Sequence, residues 1–325
     1  MTDHGAAPIA TAAEHANASP NVAAARWLEL GGRAPASIEM LKPARRKSAV
    51  YLLRGAATVD VVAKRAVASS LMTEHAVYGL LGRLPVPAVR CFGIVQEPDT
   101  AYAWLFTEHV QGTPFSGGNA EHRALAGRWL AAAHTAGAAL ANEVSLPRRD
   151  SDHYLSIVRS AARTLMAAQT NPAMSPDDGR ILDRMLEHCA ALEHAWRQVA
   201  DIAAVLPPTL VHGGFGSKNV RIRDRGAATE VLAFDWEASG WGTPAADLAT
   251  VDPDAYHEAL ARSWPAIPVR SISRLALLGR IFASVSAIPG ERPALECAWP
   301  HRAMAKMRVY ERRLADARRA LGIEG

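Results

Sequence analysis

The sequence predicts an α+β protein of two lobes, a small antiparallel-sheet N-lobe followed by a larger, mainly helical C-lobe. Between residues 37 and 110, short runs of apolar and β-branched residues alternate with basic or glycine-containing turns, the texture of antiparallel strands. Beyond residue 110, long Ala- and Leu-rich segments carry apolar residues at helical spacing. Inside that helical part, residues 207–250 form a strand–loop–strand interruption. A chain of 325 residues suffices for one large domain or two lobes with a substantial core.

Residues 1–20, rich in Ala, Asn, Ser and Pro without useful periodicity, are expected to form a flexible tail. Residues 21–110 are assigned to the N-lobe and 111–325 to the C-lobe. "SIEMLK", "SAVYLLRG" and "TVDVVAKRA" predict three antiparallel strands. "ASSLMTEHAVYGLLGRL" predicts a helix, with Leu71, Met72, Ala76, Leu80 and Leu81 at helical spacing. "PVPAVRCFGIV" and "AYAWLFTEHV" predict two more strands, with Pro85 and Pro87 at the entry because proline cannot donate to a central ladder. Helices then follow in "EHRALAGRWLAAAHTAGAAL", "DHYLSIVRSAARTLMAAQ" and "SPDDGRILDRMLEHCAALEHAWRQVADI". The last opens on Ser175 as N-cap, a proline at the first position and two acids in the first turn. Residues 254–322 are again helical.

Composition excludes several function classes. An apolar fraction of 49% and a charged fraction of 21% are ordinary for a soluble globular protein. The net charge of +4 is small for the length and interspersed with acids, so it does not argue for nucleic acid, although it suits an anionic ligand such as a nucleotide. The arginine-rich segment 301–321 is read as a solvated helix face. Cys91, Cys189 and Cys297 are far apart and form no C-x-x-C pair, which argues against a zinc site or a disulfide framework and makes a reducing cytoplasm the expected setting. No signal peptide and no membrane span are expected.

Chemistry concentrates in two stretches. One is "HGGFGSKN", His212 to Asn219. The other is "FDWEASGWGTPAADLA", in which Asp235-Trp236-Glu237 precedes a Gly242–Ala249 tail. This order of motifs resembles the aminoglycoside phosphotransferase and choline-kinase-like family, relatives of protein kinases. That family's catalytic loop reads H-G-D-x-x-x-x-N and is followed by a strand and D-[WFY]-E. The resemblance covers roughly residues 28 to 320 and implies a protein-kinase-like fold that uses ATP and Mg²⁺ on a hydroxyl of a small molecule.

The resemblance also implies roles for particular positions. Asn219 and Asp235 are the expected metal ligands, and both are hard oxygen donors suited to Mg²⁺. Lys64, in the third strand, resembles the lysine that contacts the α- and β-phosphates, and Glu74 the helix glutamate that pairs with it. On strand alternation Lys64 shares a face with Val62 and Asp60, while Arg65 points the other way and is the weaker candidate. Leu105–Gly112 would be the link in which backbone groups of Glu108 and Val110 hold adenine. The turn "KPARRKS", Lys42 to Ser48, has no glycine, so a Walker-type cradle is excluded. It is either a phosphate-attracting loop or a basic surface turn. Asp247 is expected to brace the catalytic loop, and His212 to be a packed loop residue rather than a base.

One position departs from the pattern. Gly214 stands where the family has the Asp that orients the acceptor hydroxyl and takes its proton. Glycine does neither. Glu237 or a carboxylate of the substrate are candidate replacements, and Lys218 is a candidate for steadying the transferring phosphoryl. Two functions follow: a phosphotransferase impaired at its base, or a pseudokinase that binds nucleotide or ligand without significant turnover. The acids of residues 254–325 are mixed with arginines, which does not favour a polycationic aminoglycoside as acceptor.

Overall fold

The computed structural model describes residues 18–45, 48–141, 143–226 and 228–323. The first 17 positions of the expected tail lie outside the described residues, as do Arg46 and Lys47 of the basic turn. The chain forms two compact units. Of the described residues, the first holds those through Arg83 together with those of 87–113 and 223–237; the second holds those of 84–86, 114–222 and 238–323.

The first unit begins with helix α1 (Pro20–Glu29), capped by Ser19, whose hydroxyl accepts from the Val22 amide. No element was expected there, because in "PNVAAARWLE" only Ala23 and Trp27 bury a side chain fully. Strands β1 (Ser37–Arg45), β2 (Ser48–Arg54) and β3 (Val61–Val67) lead into helix α2 (Ala68–Leu81), then β4 (Cys91–Gln96) and β5 (Tyr102–Glu108). All pairings are antiparallel, in the order β1-β2-β3-β5-β4. Pro85 and Pro87 stand ahead of β4 rather than at its first residues.

The register gives each sheet face a distinct job. Opposed residues in antiparallel strands share a face. Arg65 is opposed by Ala49 and Trp104, and Lys64 by Val50 and Leu105. On the Arg65 face, the Trp27 ring meets Phe92 edge-on at 5.3 Å and Phe106 at 5.5 Å. Arg65 itself is buried. It forms a two-pronged pair with Glu97 at 2.6 and 2.7 Å and lies 4.0 Å over the Tyr102 ring. Trp104 adds an indole N–H to the same carboxylate at 2.7 Å. Arg65 is therefore committed to structure, and the opposite face is left to Lys64.

Helix α2 buries Leu71, Glu74, Tyr78 and Leu81, a stripe at helical spacing. Met72, expected on that stripe, is 55% exposed. The one charged member of the stripe is Glu74, which cannot be read as buried from hydrophobic periodicity because a carboxylate interrupts it.

In chain order the remaining elements are β6 (Thr113–Pro114), α3 (Ala120–Ala138), β7 (Arg148–Arg149), α4 (Ser151–Gln169), α5 (Pro176–His194), α6 (Trp196–Ala203), β8 (Thr209–Val211), β9 (Val220–Asp224), β10 (Thr229–Ala233), β11 (Gly240–Gly242), α7 (Pro253–Leu260), α8 (Val269–Ala287), α9 (Arg292–Leu295) and α10 (His301–Leu321). Ser175 caps α5 in a capping box with Asp178. The helix expected over 175–202 is two. Ala195, at φ −89° and ψ 21°, leaves helical space, and the turn lets Val199 and Ile202 be buried from α6. The helical tail is likewise divided at Pro265, Pro268, Pro289 and Pro300, which interrupt the backbone ladder. Helix α8 is long and apolar enough to match a membrane-crossing segment by composition, and here Ile272, Leu275, Leu278, Ile281 and Phe282 form core.

A single boundary at residue 110 does not describe the division. Residues 223–237, expected with the helical lobe, cluster with the first unit. The reason is visible at Arg223, which pairs with Glu230 at 2.9 Å and with Glu108 at 3.6 Å. This placement brings Asp235 into the same unit as Lys64 and Glu74.

Candidate active site

Lys64 projects from β3 into a pair of acids. Its ammonium donates to Glu74 Oε2 at 2.9 Å and to Asp235 Oδ1, and it lies 3.6 Å from Glu237. The Glu74 carboxylate is 2% exposed and the Lys64 side chain 13%. Burial opposes the charge on Lys64, but the carboxylates of Glu74, Asp235 and Glu237 outweigh it and hold the ammonium above its ordinary value. Burial pushes the Glu74 carboxyl upward, against the pull of Lys64 and the Trp236 amide. One ammonium thus faces three carboxylates, and the cluster carries an excess of negative charge. Bare phosphates would be repelled from it unless a cation accompanied them.

Asp235 occupies an uncommon backbone state, with φ at +66°. Aspartate enters the left-handed region more readily than most residues, but such positions concentrate at functional sites. The corner is held from α2, where Glu74 Oε1 accepts the Trp236 backbone N–H at 3.2 Å.

The second unit supplies the loop. Asp247 is buried and accepts two successive backbone amides, His212 N–H at 2.8 Å and Gly213 N–H at 2.9 Å. Its Oδ2 also meets His134 Nε2 at 3.2 Å, and His134 Nδ1 meets the Tyr256 hydroxyl at 3.0 Å. Gly213 has φ +72°, and a Cβ there would stand 2.6 Å from the Ala238 carbonyl oxygen, so only glycine fits. Phe215 anchors the loop on Trp129 and Phe115, with ring centroids at 5.9 and 6.0 Å, and the His212 ring packs edge-on against it. Each buried amide left without its acceptor costs about 1–3 kcal/mol. Asp247→Ala is accordingly expected to lower the urea midpoint of unfolding well below that of Asp247→Asn, which keeps one acceptor oxygen.

Gly214 is a different kind of glycine. Its backbone is not left-handed, it is exposed, and a Cβ there would meet Asn219 Nδ2 at 3.4 Å and His212 Nδ1 at 3.6 Å, ordinary contact distances. Nothing steric requires glycine at this position. Asn219 turns its amide nitrogen to the Gly214 carbonyl at 3.0 Å, which leaves the amide oxygen as the end free for a cation. Lys218 is exposed on the same loop.

Taken singly, the oxygen donors of Asp235 in the first unit and Asn219 in the second are of the kind Mg²⁺ takes. That ion binds through one or two carboxylates and keeps several waters alongside substrate phosphates. Among the described residues no group of three or more His, Cys, Asp or Glu side chains forms a complete metal cage. Asp235 brings one carboxylate and Asn219 one amide oxygen. Glu237 has a 53% exposed side chain. Glu108 closes β5, with its own N–H donated to the Arg90 carbonyl at 2.8 Å, and Val110 follows outside the ladder.

In the first unit the structure brings together Lys64, Glu74, Asp235 and Glu237; in the second it brings together Gly214, Asn219 and the Asp247 brace. Sequence reasoning missed His134 and Tyr78. His134 sits in an Ala-rich helix with no motif around it. Tyr78 stands four residues after Glu74, which is one turn along the same face, and that spacing was the available signal.

A model of the phosphotransferase enzyme family matches residues 43–266. The structure resembles that of an aminoglycoside 2'-phosphotransferase in complex with GDP, with a TM-score of 0.66 at 14% identity, over 93% of this chain and 100% of that one. It resembles a spectinomycin phosphotransferase in complex with ADP and spectinomycin, with a TM-score of 0.60 at 11% identity, over 92% and 98% of the two chains. Choline kinase from Cryptosporidium parvum gives a TM-score of 0.57 at 9% identity, over 88% and 91%. A search of curated protein sequences finds no match. At these identities the likeness is one of fold, an antiparallel-sheet N-terminal part and a mostly helical C-terminal part of kinase-like type.

Proposed function

The chain belongs to the phosphotransferase enzyme family, and from that premise we propose that it transfers the γ-phosphoryl group of ATP to a hydroxyl of a small molecule, slowly, without a loop carboxylate as base. The observation that carries this reading is the Lys64–Glu74 pair joined to Asp235. A buried carboxylate fixes the ammonium, and the ammonium touches the acid assigned to the metal. The ADP and GDP held by structural neighbours support a nucleotide donor.

Each residue has a task. Lys64 neutralises phosphate oxygens, and Glu74 keeps it aimed. Asp235 and Asn219 would hold Mg²⁺, which supplies charge neutralisation on the phosphates when bound. Backbone groups at Glu108 and Val110 hold adenine. Lys218 steadies the transferring phosphoryl. The acceptor oxygen bonds to the γ-phosphorus as the bond from phosphorus to the bridging oxygen breaks, and ADP leaves with that electron pair. In a loose transition state the acceptor proton moves late. It passes to water or to Glu237, because Gly214 offers no acceptor.

Gly214 itself favours a second reading, a pseudokinase that binds nucleotide without significant turnover. Incubation with ATP, Mg²⁺ and a panel of alcohols, sugars and amino alcohols, followed by mass spectrometry, separates the two. Gain of one phosphoryl group by any compound, matched by ADP release, is the expected result. Nucleotide binding with no product across the panel would leave the second reading standing instead.

A further inference from the structure

We propose that Tyr78 is a positioning residue, whose buried hydroxyl, acting through the Glu74 carboxylate, holds the Asp235–Trp236 corner in the conformation that presents the Asp235 carboxylate. The proposal rests on the reading of Asp235 as the residue that serves metal and nucleotide.

The backbone of Asp235 is left-handed, with φ at +66°. A non-glycine residue stays in that region only where its surroundings over-determine it. The corner takes its partner from α2. The Trp236 N–H goes to Glu74 Oε1 at 3.2 Å. The Tyr78 hydroxyl in turn points to the same Glu74 Oε1, at 3.4 Å. Glu74 and Tyr78 lie one helical turn apart, so one face of α2 carries both the acceptor of the corner amide and the hydroxyl that meets that acceptor.

Tyr78 is 5% exposed, and a hydroxyl buried that deeply has to find its partners inside the protein. An apolar side chain would fill the same buried space with no polar atom to satisfy. The hydroxyl is therefore the informative part of the residue. It meets the carboxylate that fixes Lys64 and accepts the Trp236 amide. Lys64, Glu74 and Asp235 are thereby set by one helix face.

Tyr78→Phe in the full chain removes the hydroxyl and keeps the ring. The first readout is hydrogen exchange without ligand. Peptides spanning Asp235–Trp236 are expected to exchange about tenfold faster, while peptides of β2 and β5 stay unchanged, as local rather than global opening requires. The second readout is calorimetric titration with ATP. Affinity in the presence of Mg²⁺ is expected to fall about tenfold, the low end of what loss of an outer partner does to a metal ligand. Affinity for ATP without Mg²⁺ is expected to stay the same. Unchanged exchange at Asp235–Trp236 would overturn the proposal. So would equal acceleration across the sheet, or equal weakening with and without Mg²⁺, since each makes Tyr78 a packing residue. A wild-type chain that binds no nucleotide would remove the functional reading, while the exchange result would still decide the role of Tyr78 in the corner.

Discussion

Gly214→Asp is expected to raise phosphoryl-transfer turnover by about 10²- to 10⁴-fold, the usual contribution of a positioned general base. The site has room for it. A Cβ at 214 meets its nearest neighbours at 3.4 and 3.6 Å, and the backbone is in a region any residue adopts. Replacing glycine where the conformation is compatible also restricts the unfolded chain, so stability should stay level or rise by about 0.4–1 kcal/mol. The apparent KM for ATP should hold steady, because the added carboxylate meets the acceptor rather than the nucleotide. Gly214→Asn is the control, having a similar shape without a basic oxygen, and it should give no increase. Steady-state kinetics with the best acceptor found checks all three chains. A folded Gly214→Asp protein with wild-type turnover would mean that proton removal is supplied elsewhere, with Glu237 the first residue to test.

Lys64→Met is expected to abolish ATP-dependent transfer and to destabilise the fold at the same time. The two losses have separate causes. Without Lys64, the phosphates face the carboxylates of Glu74, Asp235 and Glu237 with no ammonium among them. Glu74, 2% exposed, is left as a buried charge without its partner. Breaking a buried pair from one side costs about 3–5 kcal/mol. The double variant Lys64→Met/Glu74→Gln separates the effects. Removing both charges should recover most of the stability lost, measured by urea denaturation, and none of the nucleotide affinity. Recovery of binding in the double variant would show that Lys64 acts only by neutralising Glu74.

Parts of this site were legible from sequence because they depend on short-range rules. Strand alternation puts Lys64 and Arg65 on opposite faces whatever the sheet packs against, and the register agrees. The Ser175 cap follows from local spacing in the same way. What was not legible depends on partners distant in the chain. Helix α1 has a weak apolar pattern and exists because Trp27 finds Phe92 and Phe106 on the sheet. By spacing alone Glu74 looks like a solvent-facing helix acid; it is the family resemblance that pairs it with Lys64, as the structure does. The left-handed backbone of Asp235 has no signature in "FDWE", since aspartate is found on both sides of φ zero. His134 enters the loop brace across 113 residues from Asp247, from a helix whose composition gives no hint of polar function. The membership of residues 223–237 in the first unit turns on Arg223 and its two acids, a pairing that spacing alone does not announce.

Lys64, Glu74 and Asp235 are proposed to serve nucleotide and metal in a chain whose loop lacks a base at Gly214. Calorimetric titration of ATP into the full chain, with and without Mg²⁺, tests that assignment most directly. The expected result is saturable binding that Mg²⁺ tightens, with that tightening lost in Asp235→Asn. Absence of binding at millimolar ATP with Mg²⁺, or equal affinity in wild type and Asp235→Asn, would contradict it.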